Sequence, residues 1–159
     1  MAKDVSSERL AMRDFSESLP MALLQTREVV MAIFRPLLAE HDLTEQQWRV
    51  LRVLASVSTA LEVGQVVEAT NLLAPSLSRI LKDLEARGLV TRSAVEQDQR
   101  RAQIGLSATG FELVKKIAPQ SEALYNKIEA SFGQTELTHL LDQLATLRDK
   151  TAYIDPTAI

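Results

Sequence analysis

Residues 74–107 constrain the fold of this chain more than any other stretch, because they join a polar-faced helix to a charged hairpin. Four apolar side chains at i, i+3, i+4 and i+7 predict one buried helical stripe: Leu77, Ile80, Leu81 and Leu84. Gly88 follows where a left-handed helix cap is favoured. Two apolar-patterned runs, 89–95 and 102–106, then flank the charged turn EQDQRR. This order predicts a recognition helix followed by a wing, an arrangement suited to binding duplex DNA.

Helical patterns occupy most of the remaining chain. We expect a long helix at 19–41, a second at 45–56 opened by a Thr44–Gln47 capping box, and a short third helix at 63–70. The third helix, a tight turn and the recognition helix together form a helix-turn-helix.

The C-terminal part should contain two more helices. Ser107 is expected to cap a fifth helix, which Pro119 should interrupt and bend, and Thr135 is expected to cap the last helix. The predicted fold is all-α with a small β-wing, in a single domain that spans 1–159. Its parts are a winged helix-turn-helix at 45–107 and flanking dimerisation helices at 19–41 and 108–155.

The terminal helices have more apolar surface than the compact central module can cover. The stripe of leucines between Leu137 and Leu147 is one example. Packing against the same helices of a second copy is the simplest way to bury them, so we expect a homodimer. A dimer also suits palindromic DNA, because it places two recognition helices about one helical turn apart.

Composition narrows the function classes. Apolar residues make up 46% of the chain, which indicates a globular protein, and no apolar run is long enough to span a membrane. The polar start is not a signal peptide, so the expected location is the cytoplasm. Cysteine is absent, and His41 and His139 are too far apart to suggest a metal site. Without a phosphate loop or recognisable triad, we expect no enzyme activity, no cofactor and no metal.

Charge is unevenly distributed along the chain. The net charge is −3, yet residues 74–105 carry six cations and four acids. Such a local excess of cations can bind phosphates.

Four polar side chains lie off the apolar stripe of the recognition helix and are candidates for DNA contact: Ser76, Ser78, Arg79 and Lys82. Hydroxyls and guanidinium groups can bond base edges or phosphates, whereas the alternative is a solvated helix face. On the wing, Arg101 contacts either phosphate or solvent. Asp98 would repel phosphate unless it is paired, so we interpret it as a brace that holds the wing through an arginine.

Three runs resemble the MarR family of bacterial transcriptional regulators: LTEQQWRVLRVL at 43–54, SLSRILKDLEARGLVTR at 76–92 and DQRRAQIGLSATG at 98–110. The resemblance extends over residues 19–147. The segment LLQTREVVMAIFRPLL at 23–38 looks particularly like the branch that regulates homoprotocatechuate and related aromatic-acid catabolism.

This resemblance implies a pyramidal homodimer that binds operator DNA and releases it when a phenolic or aryl acid binds. It places Arg100 where the family has a minor-groove arginine. It also implies a ligand pocket where the first long helix meets the second and fifth, with Arg27, Trp48 and His41 as candidates. Their alternative roles are a salt bridge, a core side chain and a helix-terminal histidine.

The sequence therefore predicts a repressor of an aromatic-acid catabolic operon, released by a small aryl carboxylate. A winged-helix module that binds protein, and a regulator without a small-molecule effector, are the alternatives.

Overall fold

A computed structural model of the chain describes residues 13–95, 98–155 and 157, with the backbone alone for residues 95 and 98–101. The described helices are α1 (Leu19–Ala39), α2 (Glu45–Ala55), α3 (Val63–Thr70), α4 (Ala74–Ala86), α5 (Ala108–Phe132) and α6 (Gln134–Thr151). The strands are β1 (Leu61–Glu62), β2 (Val90–Val95) and β3 (Asp98–Leu106), and a short 3-10 helix at Phe15–Glu17 precedes α1. The predicted fold class, mostly helical with a small β-wing, is confirmed.

The wing is part of a three-stranded antiparallel sheet in the order β1-β3-β2. Ile104 on β3 lies opposite Leu61 of β1 on one side and Arg92 of β2 on the other. The sequence predicted only the β2–β3 hairpin, because a strand of two residues is too short to show a period. β1 ties the start of α3 to the base of the wing.

The core lies between the helix-turn-helix, the base of the sheet and α5. Val50, Leu51, Val66, Ile104 and Ile117 are all fully buried there. The predicted stripe of α4 is confirmed, since three of its leucines are buried and its isoleucine is half-buried: Leu77, Leu81, Leu84 and Ile80. This packing fixes which face of α4 is left for solvent or a partner.

The structure confirms the predicted capping residues at the starts of α2 and α5 and the predicted glycine at the end of α4. The Thr44 hydroxyl accepts a hydrogen bond from the Gln47 N–H at 3.2 Å, and the Gln47 side chain accepts one from the Thr44 N–H at 2.8 Å. The Ser107 hydroxyl accepts from the Gly110 N–H at 2.9 Å, which caps α5. Gly88 has a φ of 67°, the left-handed conformation expected after α4.

Four expectations about helix boundaries were wrong. The first helix ends at Ala39 and not at His41, and the second ends at Ala55. Pro119 does not interrupt α5, which continues from Ala108 to Phe132. Pro119 and the residue one turn before it are exposed, so water can satisfy the carbonyl that loses its helical partner.

The fourth expectation that was wrong concerns the start of α6. Thr135 does not cap this helix, because it begins at Gln134 directly after Gly133. Gly133, with a φ of 104°, is the single residue between α5 and α6 and occupies the N-cap position, and it has no side chain that could cap the helix.

Large apolar side chains remain exposed along the terminal helices, with none of α6 buried in this single chain. They are Leu19, Leu23, Leu24, Val29 and Ile33 on α1, Phe111 and Phe132 on α5, and Leu140, Leu141 and Leu144 on α6. None of the helices in the described ranges is long and apolar enough to cross a membrane.

Candidate DNA-binding surface and ligand cavity

The exposed face of α4 carries unpaired polar groups. Ser76, Ser78, Arg79 and Lys82 are all exposed, and none of them forms a side-chain hydrogen bond or ion pair with another described residue. Leu73, the residue before α4, is 77% exposed, and the sequence had not singled it out. Hydroxyl and cationic groups on a helix can form hydrogen bonds with base edges in the major groove. An apolar side chain beside them can contact the methyl group of thymine.

The C-terminal half of α4 is instead tied to the protein. Asp83 accepts a hydrogen bond from the Gln47 side chain at 2.7 Å. The Arg87 guanidinium donates to the Asp42 carbonyl at 2.8 Å. Arg87 is therefore an internal tie, although it contributes to the local excess of cations, and the bonds hold α4 against the α1–α2 connection.

The base of the wing is held by Ser107. Its hydroxyl donates to the Gly88 carbonyl at 2.6 Å, and its N–H donates to the Leu89 carbonyl at 3.2 Å. These bonds connect the end of α4, the start of β2 and the start of α5. The orientation of the wing therefore depends on the first turn of α5.

Three predicted wing residues lie at the other end of the hairpin. Asp98, Arg100 and Arg101 are on β3, where Asp98 pairs with Val95 across a register shift in the β2–β3 ladder. Their side chains lie outside the described part of the structure. The DNA-contacting roles of Arg100 and Arg101 and the brace role of Asp98 stay predictions.

A cavity of about 340 Å³ lies between α1, α2 and α5. We call it the Trp48 cavity, and its lining is mostly apolar and aromatic with three charged groups: Met31, Phe34, Glu45, Trp48, Arg49, Arg52, Val53, Ser56 and Tyr125. Trp48 and Phe34 are buried, at 7% and 4% exposure. Five of these residues share one face of α2, and Ser56 directly follows that helix, so the cavity has a rigid wall.

Two arginines of the Trp48 cavity have no carboxylate partner among the described residues. Arg52 donates to the Tyr125 hydroxyl at 2.9 Å, and its guanidinium lies 5.8 Å from the centre of the tyrosine ring. Tyr125 also packs against Phe34, with ring centres 4.9 Å apart. Arg49 donates to the backbone carbonyl of Thr70 at 2.9 Å. The cavity thus combines aromatic walls with two arginines that no described carboxylate contacts, which suits an aryl carboxylate.

A second cavity, of about 410 Å³, contains an ion-pair cluster between α1 and α2. In this cluster, Arg27 bonds to Glu28 at 2.6 Å and to Glu45, and Arg35 bonds to the same two glutamates. Burial pushes the pKa of the Glu45 carboxyl upward, but hydrogen bonds from Arg35 and Arg27 outweigh burial and hold that pKa below its usual 4.5. Both arginines are thus neutralised within the protein.

The comparisons with known proteins agree with this architecture. The sequence profile of the MarR family matches residues 41–101. The homoprotocatechuate degradative operon repressor of Escherichia coli is 41% identical over 134 residues, covering 82% of this chain and 90% of that protein. The transcriptional regulator FarR of Neisseria gonorrhoeae is 38% identical over 130 residues, covering 82% of this chain and 88% of that protein.

The chain belongs to the MarR family.

A solved structure of another regulator supports the same assignment. The crystal structure of NadR in complex with 4-hydroxyphenylacetate superposes with a TM-score of 0.75 at 35% identity, covering 92% of this chain and all of that one. The MarR-family assignment makes this protein a transcriptional regulator.

The three ligand candidates predicted from the sequence do not share one cavity in this MarR-family structure. Trp48 lines the cavity named after it, whereas Arg27 belongs to the ion-pair cluster. His41 follows α1, and its buried Nε2 has no hydrogen-bond partner among the described residues. His41 is not among the residues that line either cavity. The ligand roles of all three stay predictions.

Sequence reasoning missed the cations and the tyrosine that lie beside Trp48. Arg52 lies one helical turn after Trp48, at i+4, so the helical period could have placed the two side chains on one face. Tyr125 is 73 residues away from Arg52 in the chain, and no local pattern connects them. Within the described ranges, no group of three or more histidines and acids is arranged to hold a metal ion.

Proposed function

We propose that this MarR-family regulator is a homodimeric repressor that binds palindromic operator DNA and is released by a small hydroxyphenyl carboxylate. The observation that carries the proposal is the Trp48 cavity, where two arginines without a carboxylate partner among the described residues lie beside aromatic side chains. The protein acts by binding, in the cytoplasm, without catalysis.

The ligand class follows from the chemistry of the Trp48 cavity. The volume of about 340 Å³ lies at the small end of the range for small-molecule sites. Arg52 can pair with a carboxylate, the Tyr125 hydroxyl offers a second polar contact, and Trp48 provides a face for an aromatic ring. NadR, which is 35% identical, was crystallised with 4-hydroxyphenylacetate, and the E. coli relative is named for a homoprotocatechuate operon.

DNA binding is assigned to α4 and the wing. The free groups of α4, Ser76, Ser78, Arg79 and Lys82, are directed away from the core, so they are available to bases and phosphates. Arg100 and Arg101 extend this surface onto the wing, and Asp98 braces it. The exposed Leu73 adds an apolar contact at the start of α4.

The dimer is assigned to the terminal helices, residues 19–41 and 108–155. Their exposed leucines on α1 and α6 form an apolar surface that a single copy leaves in water. A second copy supplies a matching apolar surface, and a twofold dimer suits a palindrome.

Ligand binding is linked to DNA binding through the position of the cavity. The Trp48 cavity lies between α2, which belongs to the helix-turn-helix lobe, and α1 and α5, which belong to the proposed dimer helices. The protein can adopt conformations that differ in the angle between the helix-turn-helix lobe and the dimer helices. A ligand that binds one of these conformations more tightly increases its population. The two recognition helices then lose the spacing that the operator requires.

The test compares Arg52, which has no carboxylate partner among the described residues, with Arg27, which forms ion pairs with two glutamates. Operator fragments selected by the protein are titrated by fluorescence anisotropy at fixed salt, with and without 4-hydroxyphenylacetate, and ligand binding is measured by calorimetry. Arg52→Met should weaken ligand binding by about 1.5–3 kcal/mol, because it removes a charged hydrogen-bond donor. Arg27→Met, the matched loss of one charge, should leave ligand affinity within about threefold.

Each contrary result has a definite meaning. Loss of ligand binding in Arg27→Met with retention in Arg52→Met would move the site to the ion-pair cluster. If no phenolic acid in a panel binds the wild type, the protein is a regulator without this effector. If no DNA fragment is selected, the winged helix binds a protein partner instead.

A further inference from the structure

Arg49 connects the Trp48 cavity to the helix-turn-helix. It lies on α2 next to Trp48 and lines the cavity. Its guanidinium also crosses to α3, where Nη1 donates to the carbonyl of Thr70 at 2.9 Å. One side chain therefore touches both the proposed effector site and the element that precedes the recognition helix.

Thr70 occupies the position where the chain leaves α3 for α4. It is the last residue of α3, it is 1% exposed, and its hydroxyl donates to the Val66 carbonyl at 2.5 Å. The next residue, Asn71, has a left-handed backbone with φ 52° and ψ 35°, and α4 begins at Ala74. A carbonyl at a helix C-terminus has no partner inside its helix, and Arg49 supplies one for Thr70.

The Arg49 guanidinium has donors to spare. Arginine has five N–H groups, of which one is used on Thr70, and no described carboxylate neutralises its charge. A carboxylate that enters the cavity can bind the remaining N–H groups and attract the charged guanidinium toward the cavity, away from the neutral Thr70 carbonyl. The carboxylate carries a full negative charge and can accept two parallel N–H bonds from an arginine, so it attracts the guanidinium more strongly than a single carbonyl oxygen does.

We propose that Arg49 is the positioning residue that couples the Trp48 cavity to the recognition helix, through its bond to the Thr70 carbonyl. With the cavity empty, the bond fixes the turn that orients α4 for DNA. With an aryl carboxylate bound, Arg49 turns toward the ligand and the turn loses this support. The inference rests on the proposed function and names the residue that transmits the signal.

The test measures the ratio of DNA affinities without and with saturating 4-hydroxyphenylacetate. In the wild type this ratio should fall in the range usual for allosteric coupling, about 5–150-fold. Arg49→Met keeps the length of the side chain but removes its donors. The variant should show a ratio below about twofold, together with a ligand-free DNA affinity that is already about 5–10-fold weaker.

Two further variants serve as controls, one for the loss of a positive charge and one for the loss of the hydrogen bond to Thr70. Arg13→Met removes an exposed cation that precedes α1, outside the surfaces assigned to DNA, ligand and dimer, and should retain both the wild-type ratio and the wild-type DNA affinity. Arg49→Lys keeps the charge and one donor that can reach Thr70, so it should recover most of the ligand-free DNA affinity.

The outcomes separate this inference from the proposed function. If Arg49→Met binds DNA weakly but the ligand still lowers its affinity by the wild-type factor, Arg49 only caps α3 and the inference is overturned. An unchanged ligand-free affinity in Arg49→Met overturns it as well. If the wild type ignores the ligand while Arg49→Met binds DNA weakly, the aromatic effector is overturned and the link from Arg49 to the recognition helix is supported.

Discussion

Replacing Gly110 with alanine should damage the junction between the wing and α5. Gly110 is buried in the first turn of α5, and a Cβ at this position would lie 1.9 Å from the Leu89 carbonyl oxygen and 3.0 Å from a methyl group of Leu106. The start of α5 would have to move by roughly 1.5 Å to restore normal contact distances. That movement pulls Ser107 away from the Gly88 and Leu89 carbonyls that it bonds.

The expected loss of stability follows from two contributions. Overpacking a well-packed site costs about 1–3 kcal/mol. Weakening the Ser107 cap of α5 adds about 1 kcal/mol. The free energy of unfolding should therefore fall by about 2–4 kcal/mol, which corresponds to a Tm lower by about 4–16 °C for a domain of this size.

Urea and thermal unfolding, followed by circular dichroism at a fixed protein concentration, measure this loss. The concentration must be fixed because the stability of a dimer depends on it. Gly64→Ala is the matched control, since a Cβ there would meet no atom within 4 Å beyond its chain neighbours and its own helix backbone, and the site is helical. The control should be neutral or more stable by about 0.5–1 kcal/mol. Equal Tm values for Gly110→Ala and Gly64→Ala would refute the reasoning.

Two further predictions concern charge. Arg100→Ala should weaken operator binding by about 1–3 kcal/mol per subunit in a titration at fixed salt, without changing the Tm, and Asp98→Ala should weaken it as well. Unchanged binding in the first variant or tighter binding in the second would contradict the roles assigned to the wing. Glu45→Gln should lower stability at pH 7 by about 1 kcal/mol, because Arg27 and Arg35 each lose one of their two carboxylate partners and keep Glu28. The pKa of Glu45 is lower in the folded protein, so its contribution is present above pH 4.5 and is lost as the pH falls through the folded pKa; a difference between variant and wild type that persists at lower pH would contradict this.

The sequence by itself determined where most elements lie and which face of α4 is buried. The Thr44–Gln47 capping box, the Ser107 cap and the glycine at 88 act over three or four residues, so their signals are local and readable. Prolines were less reliable guides. Pro119 sits on the exposed side of α5, where solvent relieves the cost of the missing hydrogen bond, and only the packed structure shows which side that is.

Only the tertiary structure decided which arginines remain available to a ligand. Arg27 and Arg52 look alike in the sequence, as cations on helices near Trp48. Arg27 meets Glu45, 18 residues further along the chain, and is neutralised. Arg52 meets Tyr125, 73 residues away, and keeps its charge unpaired among the described residues. The packing of α1 and α5 against α2 determines which groups these long side chains contact. The spacing of residues within a single helix does not predict those contacts.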